Sequence, residues 1–148
     1  MINTTNLNQA LKEIQQLKKE NKPVIVQAQD EKFNRKIFEN PNVDIITNLE
    51  IHKRKDYMKQ RDSGLNEILC KLAKQNNIKI GINLQLIKSL TPYQKSIILG
   101  RIKQNIKLCK KTKTPIIILN KKKFTKQDII SFFLTLGAST KQAKQAVQ

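Results

Sequence analysis

Four short apolar runs alternate with helical patterns along this chain, and that alternation restricts the fold more than any other feature. The runs are Val24-Ile25-Val26, Val43-Asp44-Ile45-Ile46, Ile78 to Leu84, and Ile116-Ile117-Ile118. A strand with one face in water alternates polar with apolar residues, and apart from the third these do not. Nearly all-apolar strands separated by helices belong to a parallel sheet covered by helices. Helix 6–21 gathers Leu7, Ala10, Leu11, Ile14 and Leu17 on one face. A short helix, 31–39, follows the first strand, and a polar loop runs from Asn48 to Asp62. Helix 64–76 repeats Leu65, Ile68, Leu69, Leu72 and Ala73 at helical spacing, with Asp62 or Ser63 placed to cap it. Thr91 caps helix 92–111, with Pro92 in the first position and Gln94 completing a capping box. Thr125 caps helix 126–136, Gly137 ends it, and Ser139 with Gln142 opens a last helix. The length suits one domain with a modest core, so residues 1–148 are expected to form a single α/β domain.

The charge is distributed unevenly. Residues 1–50 hold seven bases and seven acids, whereas residues 51–148 hold twenty-two bases against Asp56, Asp62, Glu67 and Asp128. The whole excess of +18 therefore lies in the last two thirds of the chain. Between Glu67 and Asp128 there are fifteen bases and no carboxylate. Lysine-rich coding bias explains many lysines but not why the first fifty residues escape the excess. A folded surface with cations and no internal counter-charge repels itself, and a polyanion relieves that repulsion.

Right-handed crossovers put every loop that follows a strand on the same edge of a parallel sheet, the edge where α/β folds bind ligands. After the second strand come His52, Lys53, Arg54, Lys55 and Arg61; after the third comes Lys88; after the fourth come Lys121, Lys122 and Lys123. Helix 92–111 adds Lys103, Lys107, Lys110 and Lys111 beside its apolar stripe of Ile98, Ile102, Ile106 and Cys109. Any one of these clusters reads by itself as a solvated charge run. Their convergence on one edge points to nucleic acid. Tyr57 and Phe124, each beside lysines in a loop, are candidates for stacking on a base, whereas Phe132 and Phe133 read as core. Arg61 cannot serve a helix N-terminus, so its partner is expected to be Asp62, Asp44 or an RNA phosphate.

Other classes fit less well. No segment approaches the ~20 apolar residues of a membrane span. The polar start, Met1 to Asn6, carries no signal-peptide pattern. Cys70 and Cys109 read as buried free thiols, which suits a reducing cytoplasm. His52 is the only histidine. A metal-dependent phosphoesterase would have to assemble its ligands from Asp44, Glu50, His52 and Asp62, which are too few. The strand ends that would supply the rest offer Asn83 and Asn120. Neither a catalytic constellation nor a metal site is expected in the chain.

One stretch is more specific than any pattern of charge. Arg61-Asp62-Ser63-Gly64-Leu65-Asn66-Glu67-Ile68-Leu69 runs through Lys71-Leu72-Ala73-Lys74 to Ile80-Gly81-Ile82-Asn83-Leu84. It resembles the family of archaeal ribonuclease P protein component 3, known in eukaryotes as the p30-type subunit. Asn40-Pro41-Asn42-Val43-Asp44-Ile45 looks like the strand entry of that family, and Phe133-Leu134-Thr135-Leu136-Gly137 with Ala143 like its closing helix pair. The resemblance covers most of residues 23–147. It implies a barrel-like fold of parallel strands and helices, similar to the polymerase-and-histidinol-phosphatase and TIM-type barrels. A closed eight-unit barrel needs at least ~200 residues. The fold is therefore expected to be incomplete, or open at its N-terminal side, with strand 23–28 at or near an exposed sheet edge that invites self-association.

The resemblance further implies an accessory role in ribonuclease P, the particle that removes the 5′ leader of precursor tRNA by hydrolysis. The RNA subunit with its bound Mg2+ would do the chemistry, and the protein would hold no cofactor. Expected partners are the ribonuclease P RNA, precursor tRNA and the other protein subunits of the particle, with no membrane, in the cytoplasm. The RNA-binding residues implied by charge and position are Lys53, Arg54, Lys55, Arg61, Lys88, Lys103, Lys107, Lys121, Lys122 and Lys123. A basic ribosomal-type α/β protein shares the charge but not the Arg61-to-Asn66 motif.

Overall fold

Four parallel strands stand side by side in the order in which they occur in the chain: β1 (Ile25–Gln27), β2 (Ile45–Thr47), β3 (Lys79–Ile82) and β4 (Ile116–Ile118). The architecture is that of a computed structural model, in which residues 1–147 are described. Around the strands run α1 (Leu7–Lys19), α2 (Glu31–Phe38), α3 (Glu67–Gln75), α4 (Leu84–Lys88), α5 (Pro92–Thr112), α6 (Lys126–Thr135) and α7 (Thr140–Ala146). A parallel sheet whose neighbours are also sequence neighbours never reverses its strand order. Its crossover helices therefore cover one face, as in barrels and unlike doubly wound sheets. The described sheet is open, with β1 and β4 at its two ends.

Register explains the burial. Val26, Ile46, Ile80 and Ile116 are aligned across the four strands. With Ile82 and Ile118, they are at most 2% exposed. Ala10 and Ile14 of α1, Phe33, Ile37 and Phe38 of α2, Cys70 and Ala73 of α3, Ile102, Ile106 and Cys109 of α5, and Phe133 of α6 join them in one core. Each fully buried isoleucine contributes about 1.5–3 kcal/mol. Replacing the central Ile80 with alanine would therefore cost about 2–5 kcal/mol, cavity included. The opposite sheet face carries Gln27, Thr47, Gly81 and Ile117 in register. Gly81 lies under Ile45 and Leu119, and a Cβ there would stand 2.9 Å from Ile45 Cγ2.

The expected elements are present, with four differences. First, α3 begins at Glu67 and its N-cap is Asn66, whose side chain accepts from the Leu69 N–H, rather than Asp62 or Ser63. The Asp62 carboxylate is taken instead by Arg54 and by the Gly64 N–H. Second, the third apolar run ends as strand at Ile82; Asn83 caps a five-residue helix that carries Lys88. Third, Lys121–Lys123 form a 3-10 turn rather than plain loop.

The fourth difference concerns the β1 edge. Ile2 lies beside it as a parallel bridge to Val26. The Ile2 N–H donates to the Ile25 carbonyl at 2.8 Å, and the Gln27 N–H donates to the Ile2 carbonyl at 2.9 Å. The outward ladder groups of β1 are therefore satisfied, and the exposed edge expected there is closed by the chain's own first residues.

Candidate nucleic-acid interface

Parallel strands deliver the segments after β2, β3 and β4 to one end of the sheet, and the chain invests unequal effort in fixing them. The long segment after β2, residues 48–66, has no regular structure, yet it is tied down on either side of an exposed stretch, residues 57–60. Its anchor is Arg101 in the middle of α5, only 4% exposed. The Arg101 guanidinium donates from Nη1 to the carbonyls of Glu50 (3.0 Å) and His52 (3.2 Å), from Nη2 to that of Arg54 (2.8 Å), and from Nε to Asp56 Oδ1 (3.0 Å). One planar fork thus satisfies three backbone acceptors of a loop that has no ladder to satisfy them.

Two carboxylates complete the frame. Asp56 Oδ2 accepts from Arg61 Nη1 at 2.8 Å, and Asp56 Oδ1 also accepts from the Asp62 N–H at 2.9 Å. Asp62 is held two-pronged by Arg54, at 2.8 and 3.3 Å. Partial burial pushes the Asp56 carboxyl up, but hydrogen bonds from Arg61, the Asp62 N–H and Arg101 outweigh it and bring it to about 2. Asp62 is likewise pushed up by burial and pulled below its ordinary value by Arg54 and the Gly64 N–H. Gly64 closes the corner at φ +74°, and a Cβ there would stand 2.1 Å from the Leu49 carbonyl oxygen. No other residue fits that turn without moving backbone.

Beneath the loop lies an unsatisfied carboxylate. Glu50 is 0% exposed and neither of its side-chain oxygens has a hydrogen-bond partner. Burial pushes its carboxyl up to about 7, with the Arg101 charge offsetting only part of that rise. His52 donates its Nε2–H to the Asp62 carbonyl at 2.8 Å, which leaves Nδ1 buried and unpartnered. Burial, then the charges of Arg101 and Arg54, push His52 below its ordinary value.

The segments after β3 and β4 look different. Lys122 and Lys123 are exposed on the 3-10 turn. Lys121 is half-buried, and burial and then the nearby Lys79 push its ammonium down. Lys88 stands over the Phe124 ring, 4.8 Å from its centroid, which ties α4 to the chain after β4. Lys103 and Lys107 are exposed on α5. Lys111, by contrast, pairs with Glu67 at 2.8 Å.

The ten residues expected to contact RNA thus fall into two groups. Lys53 and Lys55 are exposed on the pinned loop, and Lys88, Lys103, Lys107, Lys122 and Lys123 are exposed elsewhere, with Lys121 partly so. Arg54 and Arg61 have their charges already matched, Arg54 by Asp62 and Glu31 and Arg61 by Asp56. The partner of Arg61 is Asp56, neither Asp62 nor Asp44. Asp44 lies before β2, where it accepts from the Val24 N–H at 2.7 Å, at the end of the strand away from Glu50, His52 and Asp62. The four side chains weighed as metal ligands are therefore not brought together. Among the described residues, no three His, Cys, Asp or Glu side chains group in a way that would hold a metal ion. Also among them, no helix is long and apolar enough to cross a membrane.

The sequence model of the RNase P subunit p30 family matches residues 1–148. The chain belongs to this family. Ribonuclease P protein component 3 of Methanococcus maripaludis strain C7 is 31% identical over 117 residues, which is 79% of this chain and 47% of that protein. The Methanosarcina mazei protein of the same description is 32% identical over 95 residues, 64% of this chain and 36% of that one. The chain spans about half the length of the curated relatives it matches. A chain in a cryo-EM structure of archaeal ribonuclease P with mature tRNA superposes with a TM-score of 0.80 at 24% identity, covering 97% of this chain and 61% of its own length. That likeness shows the α/β fold of parallel strands.

Within this p30-family chain, the Arg61-to-Asn66 motif makes the inner strut of the pinned loop: Arg61 and Asp62 close its ion pairs, Gly64 its turn, and Asn66 caps α3. Sequence reading placed that motif but missed Arg101, which it counted as one more cation of the acid-free stretch. A signal for it was present. Arg101 falls at helical spacing with Ile98, Ile102 and Cys109, on the buried stripe of α5, where a cation needs a partner.

Proposed function

We propose that this chain is an RNA-binding accessory subunit of ribonuclease P, supporting the catalytic RNA as it removes the 5′ leader of precursor tRNA. The observation that carries the reading is the set of unpaired lysines at one end of the sheet, Lys53, Lys55, Lys88, Lys121, Lys122 and Lys123 with Lys103 and Lys107 on α5, in a chain of the p30 family. Lysines without counter-charges neutralise phosphates and lower the repulsion between RNA segments. Arg54 and Arg61 belong to the same surface and reach RNA only by exchanging or sharing their carboxylate partners. The partners are the ribonuclease P RNA, precursor tRNA within the particle and its other protein subunits, in the cytoplasm. In this reading Mg2+ is held by the RNA and the protein supplies no catalytic group.

The test is reconstitution. Purified protein should bind ribonuclease P RNA with strong salt dependence and raise leader removal by that RNA at limiting Mg2+. Protein alone with Mg2+ should leave precursor tRNA intact. Binding no tighter than to an unrelated structured RNA, with no effect on cleavage, would favour the ribosomal-type alternative. Cleavage by protein alone would overturn the accessory role.

A further inference from the structure

A groove of about 1020 Å³ opens between α2 and the segment after Arg54, and none of the unpaired lysines named above lines it. Its walls carry five basic and four acidic side chains, so its charge is nearly balanced. Arg54 and Arg61 on one wall are already matched by Asp62 and Asp56. Arg35 and Lys36 on the other share Glu39, so that of the five bases, among the described residues, only Lys32 has no carboxylate partner. Such a groove is a poor phosphate site. What it offers is flat: the Tyr57 ring at its rim, 59% exposed, and the guanidinium planes of Arg54 and Arg61, held still and charge-matched by their carboxylates. Leu69 and Leu108 supply an apolar floor. Gln104 completes the lining.

We infer that this groove binds an unpaired nucleobase of RNA, stacked on Tyr57 beside the guanidinium planes of Arg54 and Arg61. Purines present the larger face for such stacking, so adenine is favoured over uracil. Unstacked bases are recognised by aromatic and guanidinium faces, and the groove combines both. The inference rests on the RNA-binding reading above and adds a single-stranded element to it. The phosphates flanking the base would be held by lysines outside the groove, Lys53 and Lys55 on the same loop being the nearest in sequence.

The chain has two tyrosines and no tryptophan, so in a Tyr93→Phe variant Tyr57 is the sole tyrosine reporter. Titration with short single-stranded oligo(A) should quench its emission, oligo(U) should bind more weakly, and blunt duplex RNA should bind without quenching. Tyr57→Ala should weaken oligo(A) binding by about fivefold to a hundredfold, while Tyr57→Phe keeps it within about threefold. Duplex binding should be unchanged in both. Unquenched emission at saturating oligo(A), or a Tyr57→Ala variant that binds oligo(A) normally, would overturn the groove proposal while leaving the lysine reading intact. So would a Tyr57→Ala variant that binds RNA normally but loses a protein subunit of the particle, which would make the groove a protein site. Failure of the unsubstituted protein to bind either RNA would overturn both.

Discussion

The loop after β2 and the turn after β4 are both basic, and they handle charge in opposite ways. In the loop, arginines and carboxylates interlock: Arg54 with Asp62, Arg61 and Arg101 with Asp56. In the turn, Lys121, Lys122 and Lys123 follow one another, and the nearest acid along the chain is Asp128, which completes the capping box of α6. The difference follows from chemistry. A guanidinium offers five donors in a fixed plane and can satisfy several backbone carbonyls at once, so arginine builds a loop that lacks secondary structure. An ammonium is a strongly hydrated point charge that stays in water and remains available. Charge counted along the sequence is therefore not charge available to a partner. The loop spends its arginines on its own conformation, and the turn keeps its lysines.

The largest effect that tests this contrast is on Arg101. Arg101→Met preserves bulk but strands three carbonyls and takes from Asp56 one of its two arginines, and should lower unfolding free energy by about 3–5 kcal/mol. Urea denaturation measures it. A loss under 1 kcal/mol would mean that the loop does not depend on its anchor.

Next in size is Glu50. Its carboxyl stands near 7 in the folded chain against an ordinary 4.5, so folding takes up a proton between those values. Stability should then fall as pH rises from about 4.5 through 7, by roughly 3 kcal/mol, and be level above. Glu50→Gln should remove that fall. A wild-type chain equally stable at pH 5 and pH 8 in the same buffer would show that Glu50 has found a partner.

Asp56 runs the other way and is smaller. Its carboxyl is held at about 2, so it stabilises the fold above the ordinary 3.8, and that contribution is lost as pH falls toward 2. Asp56→Asn should cost about 1–2 kcal/mol at neutral pH and far less at pH 2, after allowance for solvent screening. An equal cost at both pH values would assign Asp56 a packing role instead of an ionic one.

How much of this was legible beforehand depends on the kind of signal. The parallel sheet was legible because apolar runs such as Ile116-Ile117-Ile118 make sense only with both faces covered. The capping box of Thr91 with Gln94 was legible because the motif is local. The closure of the β1 edge by Ile2 was not, since a one-residue bridge has no periodicity to read. The α3 start was misplaced because Asp62 is a good cap in isolation, and only the distant Arg54 and the corner at Gly64 show why it is occupied elsewhere. The candidate site was legible as charge and position but not as pairing. Arg101 meets Asp56 forty-five residues away, and nothing local in either segment announces the other.

The contrast between bound arginines and free lysines is tested most directly by the salt dependence of RNA binding. Two variants should be compared on ribonuclease P RNA: one with Lys121, Lys122 and Lys123 all changed to Gln, the other with Arg54→Gln and Arg61→Gln. Each lost phosphate contact lowers the slope of log affinity against log salt by about 0.7–0.9. The lysine variant should lose about 2 units of slope with its melting temperature unchanged. The arginine variant should keep its slope and melt earlier. A steep loss of slope in the arginine variant, with the lysine variant binding as wild type, would contradict the account.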